Sequence, residues 1–370
     1  MPRLDALTGL RWWAAFWVFA YHLGALITIP GPLLWPVEYG YLGVTFFFVL
    51  SGFVLTWSFA PTLPQSTFYV RRFARIWPSH MVALALAIPV FYSLTPDPQQ
   101  TWVKPFDPGV IALSVPLLQG WSRDPMILFS GNPAAWTLSC ELFFYALHPF
   151  IARGLARVSV RGALWVAFGA IAVAVAYRFA CIQEPTAWWS ASMPWPISRL
   201  PEFILGMAIA WAFRSGWRPR IRLWPSVAVF GAGLFLISVL PRITPDSALV
   251  RVSSPFTNEI MTALCGLVII GATVTSLQMR RTWLASKPMV RLGVWSYAFY
   301  LVHATVIYAA LSAFGHVSGG WLSVVWAIVI LGAGVGVAFL LHRWVEFPAE
   351  RVIRRWKADR DLKGQPETVP

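Results

Sequence analysis

Long apolar runs recur along this chain, and they leave few folds open to it. The hydrocarbon core of a bilayer is about 30 Å thick and takes about 20 helical residues to cross. A backbone inside it finds no water, so its polar groups must be satisfied within the segment, as in a helix. Runs of this kind cover 11–29, 40–60, 78–94, 136–152, 162–181, 201–213, 223–241, 259–278, 292–314 and 321–342. They predict an all-α integral membrane protein, a bundle of roughly ten transmembrane helices. Composition agrees: 58% of the 370 residues are hydrophobic and 12% are charged, against about 25% charged in a soluble domain. The 22 Trp and 26 Phe exceed what one core takes and suit lipid-facing helices and interfacial belts. The first run is not read as a cleaved signal peptide, because it contains Arg11 and His22 and no small-residue cleavage site follows.

The net charge of +14 does not point to nucleic acid. The arginines fall in short clusters between apolar runs, at 71–75, 153–161, 214–222, 280–291 and 343–363. That is the pattern of cytoplasmic loops facing anionic lipid. Loops at 30–39, 182–200, 242–258 and 315–320 are richer in Pro, Gly, Ser and Trp. Placing the basic loops inside makes the spans alternate, with both termini cytoplasmic, only if the short run at 109–121 does not cross. It is therefore expected to be re-entrant or interfacial. Residues 1–356 read as one membrane domain and 357–370 as a charged, disordered cytoplasmic tail. Cys140, Cys181 and Cys265 form neither a disulfide framework nor a metal spacing, and no metal site is expected.

Ionisable residues inside spans are costly to bury, which makes them functional candidates. Arg11 and His22 lie eleven residues apart: three turns plus about 20°, on one helix face and about 16 Å apart along the axis. Arg11 falls at the cytoplasmic mouth and His22 deeper, which suits a long ligand with an anionic head and a reactive far end. In the alternative, Arg11 snorkels to the interface and His22 ties helices together. Arg72 and Arg75 share a face and are spaced to clamp a phosphate, or simply to mark an inside loop. Glu141 lies among aromatics, with Tyr145 and His148 near the same face; it either orients an imidazole or acts as a base, or else ties helices. Ser296, Tyr300 and His303 make a polar stripe that lines an acceptor path or bonds neighbouring helices. Glu346 is expected to pair with an arginine. His80 and His316 have no readable partner, and Trp188, Trp189 and Trp195 either stack on sugar rings or, as fits them better, sit at the membrane interface. There is no Walker A motif, nucleophile elbow or dinucleotide-binding glycine run.

Together these motifs resemble the acyltransferase 3 family of integral membrane O-acyltransferases over about residues 5–350. The resemblance rests on Leu-Asp-x-Leu-x-Gly-Leu-Arg from Leu4 to Arg11, the Arg11–His22 pair, and Phe-Phe-x-Leu-Ser-Gly-Phe from Phe47 to Phe53. It continues with Arg-x-x-Arg at Arg72 and Arg75, Trp-Thr-Leu-Ser-x-Glu from Trp136 to Glu141, the Ser296–His303 stripe, and Glu346-x-Pro348 after the last span. It implies a multi-pass protein of the bacterial cell membrane, similar to polysaccharide O-acetylases and macrolide O-acyltransferases. No cofactor is permanently bound; acyl-CoA, commonly acetyl-CoA, is the co-substrate. Transfer goes to a hydroxyl of a cell-envelope glycan, a lipid-linked sugar or a macrolide-type natural product. His22 and Glu141 are then the catalytic candidates, Arg11, Arg72 and Arg75 hold the donor, and Ser296, Tyr300 and His303 line the substrate path. Either the membrane domain does the whole reaction or a separate partner enzyme finishes it. The alternative is a transporter or flippase of acyl groups, lipids or glycans without transferase chemistry.

Overall fold

The computed structural model describes residues 1–29 and 31–363. Among them the long helices are α1 (Asp5–Leu23), α2 (Gly43–Trp57), α3 (Gln65–Phe91), α4 (Trp136–Leu155), α5 (Val160–Gln183), α6 (Leu200–Arg214), α7 (Leu223–Ile243), α8 (Thr257–Leu277), α9 (Lys287–Phe314), α10 (Gly320–Leu341) and α11 (Phe347–Lys363). The only described sheet is a parallel pair of two-residue strands at 92–93 and 104–105. Seven helical segments, those containing α2, α3, α5, α7, α8, α9 and α10, are long and apolar enough to cross a membrane. With them the protein is an all-α, multi-pass membrane protein. The other three helices that coincide with apolar runs are shorter or more polar. α6 has 15 residues, α1 carries Arg11 and His22, and α4 carries Glu141 and His148.

α5, α7 and α10 are apolar all round and mostly exposed, as lipid-facing helices are; Trp165, Phe235 and Ile328 stand on their outer surfaces. α2 and α6 are the most enclosed. They touch backbone to backbone: a Cβ added to Gly52 would sit 2.0 Å from the Phe203 carbonyl oxygen, and one added to Gly206 would sit 1.8 Å from that of Val49. Small residues let membrane helices approach this closely, so that dispersion replaces the missing hydrophobic drive.

The basic clusters meet at one end of the bundle. There Arg214 donates to the carbonyls of Thr56, Trp57 and Phe59, Trp57 Nε1 donates to the Pro2 carbonyl, and Arg75 pairs with Glu346. At the far end Thr28 and Val317 pair through their backbones, and Arg199 joins Thr45 to Asn258.

Two local expectations change, and a third segment takes definite form. The helix expected from Pro78 begins at Gln65 and runs through that proline, so the Arg71–Arg75 cluster is helical rather than a loop. Membrane helices tolerate proline inside the bundle; nearby, the Tyr297 hydroxyl donates to the Ile76 carbonyl at 2.9 Å and ties α9 to this turn. The tail expected to be disordered from Lys357 is helical as far as Lys363; residues 364–370 lie outside those described. The run at 109–121 is a seven-residue helix (Pro108–Ser114) followed by a 3₁₀ turn (Gln119–Trp121). It is held inside by His80 Nε2, 2.8 Å from the Ser114 carbonyl, and by the Ser114–Ser130 hydroxyl pair at 2.8 Å. His80, which had no readable partner in the sequence, thus has one across 34 residues.

Candidate active site

A cavity of about 130 Å³ lies between α1, α2, α3, α4 and α9. Six of the eight predicted residues line it: Arg11, Arg72, Arg75, Glu141, Ser296 and Tyr300. They come from four helices, and none of these meetings is local in sequence.

The three arginines are not equivalent. Arg75 forms an ion pair with the fully buried Glu346 and lies 3.6 Å from Glu350; its guanidinium also stands over the Tyr297 ring. The expected two-arginine phosphate clamp is therefore half occupied by protein carboxylates, because α11 and the turn before it pack along α3 and bring one glutamate each to this arginine. Glu346 itself ends a π-helical turn, His342–Glu346, and has His342 Nδ1 3.2 Å away. Among the described residues neither Arg11 nor Arg72 has a carboxylate within salt-bridge distance. Arg72 packs between the rings of Phe68 and Tyr145, with its Nε buried and unpartnered.

Glu141 accepts a hydrogen bond from the Tyr145 hydroxyl at 2.8 Å, one helical turn away. Arg11, Arg72 and Arg75 are the cations whose charge acts on it. It makes no contact with His22, contrary to the expectation that it orients that imidazole. Glu141 lines the central cavity with Arg11, and α1 carries His22 three turns beyond that arginine.

His22 and His303 are absent from the cavity lining. They meet each other instead, in the last turn of α1 and the middle of α9. His303 Nε2 is 3.4 Å from His22 Nδ1, and the rings are edge-on with centroids 5.0 Å apart. His22 Nδ1 is 2.9 Å from the Val18 carbonyl, and His303 Nδ1 is 2.6 Å from the Tyr300 carbonyl. A carbonyl only accepts, so both Nδ1 atoms carry hydrogen. The His303 Nε2 lone pair then faces His22 Nδ1–H, and His22 Nε2 is the nitrogen left with an unused lone pair. Tyr300 joins the two regions: its hydroxyl, which takes a hydrogen bond from Thr137, faces the central cavity, and its ring lies 5.5 Å from that of His303.

Sequence reasoning missed a second polar cluster at the far end. Arg199 and Glu202 are paired at 3.1 Å, Asn258 donates to Glu202 at 2.9 Å, and Arg178 lies 3.7 Å from Glu259. The signal was there, since each of these residues opens or closes an apolar run. Charges at span edges are so often interfacial that they drew no attention.

Residues 4–343 match the family model described as an acyltransferase domain. The chain belongs to this acyltransferase family. It is 33% identical to acyltransferase MdmB of Streptomyces mycarofaciens, over 95% of this chain and 93% of that protein. It is 25% identical to nodulation protein 10 of Rhizobium leguminosarum, over 93% and 92% of the two chains. Over 27% of its length it is 33% identical to the peptidoglycan O-acetyltransferase OatA of Listeria monocytogenes, covering 15% of that protein. No solved structure matches it. The acyltransferase is thus a membrane O-acyltransferase, which takes an acyl group from a donor and places it on a hydroxylated acceptor.

Proposed function

We propose that this acyltransferase uses acyl-CoA, with acetyl-CoA the expected donor. It acylates a hydroxyl of a sugar, a cell-envelope glycan or a macrolide-type product. In this reading it spans the cell membrane ten times, α1 to α10, with both termini and the basic end cytoplasmic. One observation carries the proposal. Two arginines without carboxylate partners, Arg11 and Arg72, face one cavity, and three turns beyond Arg11 on the same helix His22 holds a free imidazole nitrogen. An anionic head at the arginines and a thioester about 16 Å further along α1 match an elongated donor.

In the reaction His22 Nε2 takes the proton of the acceptor hydroxyl as that oxygen attacks the thioester carbonyl. The C–S bond breaks, and the imidazolium returns its proton to the departing thiolate. The Val18 carbonyl and His303 Nε2 hold His22 in the tautomer this requires. Arg11 and Arg72 bind the donor phosphates. Arg75, committed to Glu346, shapes the wall, and Glu141 and Tyr145 bound the cavity with it. Ser296 and Tyr300 line the route between the arginines and the histidines.

The test uses purified protein in nanodiscs with radiolabelled acetyl-CoA. Arg72→Ala and Arg11→Ala should each weaken donor binding at least tenfold. His22→Ala should bind normally and lose about 10²–10⁴ in turnover, the range a general base contributes. Full turnover in His22→Ala, or no donor binding by the wild type, would sink the proposal.

A further inference from the structure

Three cavities adjoin at the basic end of the bundle. The central cavity shares Arg11, Leu50 and Val54 with a wider mouth of about 720 Å³. Elsewhere it shares Leu55 and Arg72 with a cavity of about 240 Å³, bounded by α3, α4, α11 and the segment 58–64. Arg71, Arg72, Arg153 and Arg354 line this last cavity, and no Asp or Glu is among its lining residues. Arg354 pairs with Glu350. Arg153 donates to the neutral side-chain amide of Gln65. Among the described residues neither Arg71 nor Arg153 has a carboxylate within salt-bridge distance.

Two buried groups of the same lining have no protein partner. One is Arg72 Nε. The other is Nδ1 of His148, a fully buried residue that stacks on Phe68 with ring centroids 5.1 Å apart. His148 Nε2 lies 3.3 Å from the Thr56 hydroxyl. With that hydroxyl donating, Nδ1 carries the hydrogen and is a buried donor without an acceptor. A basic rim is ordinary for a cytoplasmic loop. An enclosed cavity behind it, free of acids and holding unmatched donors, is not, because such groups are costly to leave unpaired. An anion with several acceptor oxygens meets both needs, and a phosphate monoester carries a charge of about −2 on such oxygens.

The donor supplies that group where the central cavity cannot hold it. A CoA thioester carries a diphosphate and a phosphate monoester on one ribose, so the two must lie in adjoining places. Arg75 is committed to Glu346, which leaves Arg11 and Arg72 for the diphosphate. The wider mouth adds no free guanidinium: Arg3 pairs with Asp5, and Arg214 donates to the carbonyls of Thr56, Trp57 and Phe59. Arg72 lines both the central cavity and the acid-free one, so a phosphate beside the diphosphate falls among Arg71, Arg153 and His148.

We infer that Arg71 and Arg153 are specificity-determining residues that, with His148, hold the ribose 3′-phosphate of the donor. The inference rests on the acyl-CoA reading of the central cavity and adds how the donor is chosen. An acyl-phosphopantetheine borne on a carrier protein has no such phosphate, so this cavity separates a CoA thioester from the same acyl group on a protein. Guanidinium forks suit the task, since they match phosphate oxygens bidentately. No bond is made or broken here.

The test compares two ligands on the full chain in phosphatidylcholine nanodiscs: acetyl-CoA and acetyl-3′-dephospho-CoA, each by equilibrium binding. The wild type should bind acetyl-CoA about tenfold more tightly or better, the scale of charge-assisted hydrogen bonds. Arg71→Gln and Arg153→Gln should each lose much of that ratio by weakening acetyl-CoA alone, and the double variant should abolish it. Equal binding of both ligands by the wild type would overturn the inference and leave the donor proposal standing. Binding of neither would end both. Variants that weaken the two ligands equally would also overturn it, since the arginines would then act through their general field. A second series in nanodiscs containing phosphatidylglycerol separates a lipid phosphate from the donor's. The wild-type ratio should persist there; its collapse would assign the cavity to a lipid headgroup and overturn the inference. Should Arg153→Gln fail to fold, Arg71→Gln, whose residue is exposed, and the wild-type ratio still decide.

Discussion

At the residue scale the histidine pair and the arginine–glutamate pair make opposite predictions. In the proposed mechanism His303 touches His22 and, with the Val18 carbonyl, keeps its Nδ1 the protonated nitrogen. His303→Ala should therefore act through geometry. Turnover should fall about 10²-fold, the cost of misplacing a reacting group by about 1 Å, and donor affinity should not change. Steady-state kinetics beside equilibrium acetyl-CoA binding separate the two; an equal loss in both would make His303 a binding residue instead. Glu346 has no such role to lose. It is fully buried against Arg75, and removing one partner of a buried pair costs about 3–5 kcal/mol. Glu350 remains 3.6 Å from Arg75, so Glu346→Ala should lie near the lower end of that range. Thermal melting in detergent should show the loss, and the double change Arg75→Met with Glu346→Leu should recover much of it. If Glu346→Ala melts like the wild type but no longer binds donor, the pair is functional rather than structural.

At the scale of the elements, glycine position decides what substitution does. Gly52 and Gly206 hold α2 and α6 at backbone contact, and a methyl group on either would meet a carbonyl oxygen at about van der Waals overlap. Gly52→Ala and Gly206→Ala should push the two helices apart and sharply lower the yield of folded protein on size exclusion. Gly169 on α5 and Gly332 on α10 meet nothing within 4 Å. Alanine there should leave melting within about 0.5 kcal/mol of wild type or raise it slightly, as helix propensity favours alanine. The apolar pattern does not distinguish these glycines, since all four lie in hydrophobic runs. The pattern also concealed where α3 begins. Pro78 looks like a helix boundary because its ring removes a backbone donor, yet α3 runs through it with α9 packed alongside.

At the scale of the whole molecule the basic clusters and the far-end loops lie at opposite poles, and the ten-span reading makes those poles inside and outside. Ser192 and Ser215, both exposed, test it in a cysteine-free background. In intact cells an impermeant maleimide should label Ser192→Cys at once and Ser215→Cys only after the membrane is opened. Equal labelling of both would reject the arrangement. Much of this architecture was legible in the sequence. Helix positions and the gathering of Arg-rich segments at one pole follow from chain-local quantities: the apolar length needed to cross a bilayer and the cost of moving arginine through one. The family motifs marked Arg11, Arg72, Glu141, Ser296 and Tyr300, which the fold then brings to one cavity. Other features depend on contacts between segments far apart in sequence, and no local pattern encodes those. The pairing of His22 with His303 spans 281 residues and that of Arg75 with Glu346 spans 271, so only helix packing could reveal that Arg75 is already neutralised and that Glu141 answers to Tyr145 rather than His22. The far-end cluster was hidden for the same reason: Arg199, Glu202, Asn258 and Glu259 look like ordinary span-edge charges until α6 and α8 bring them together.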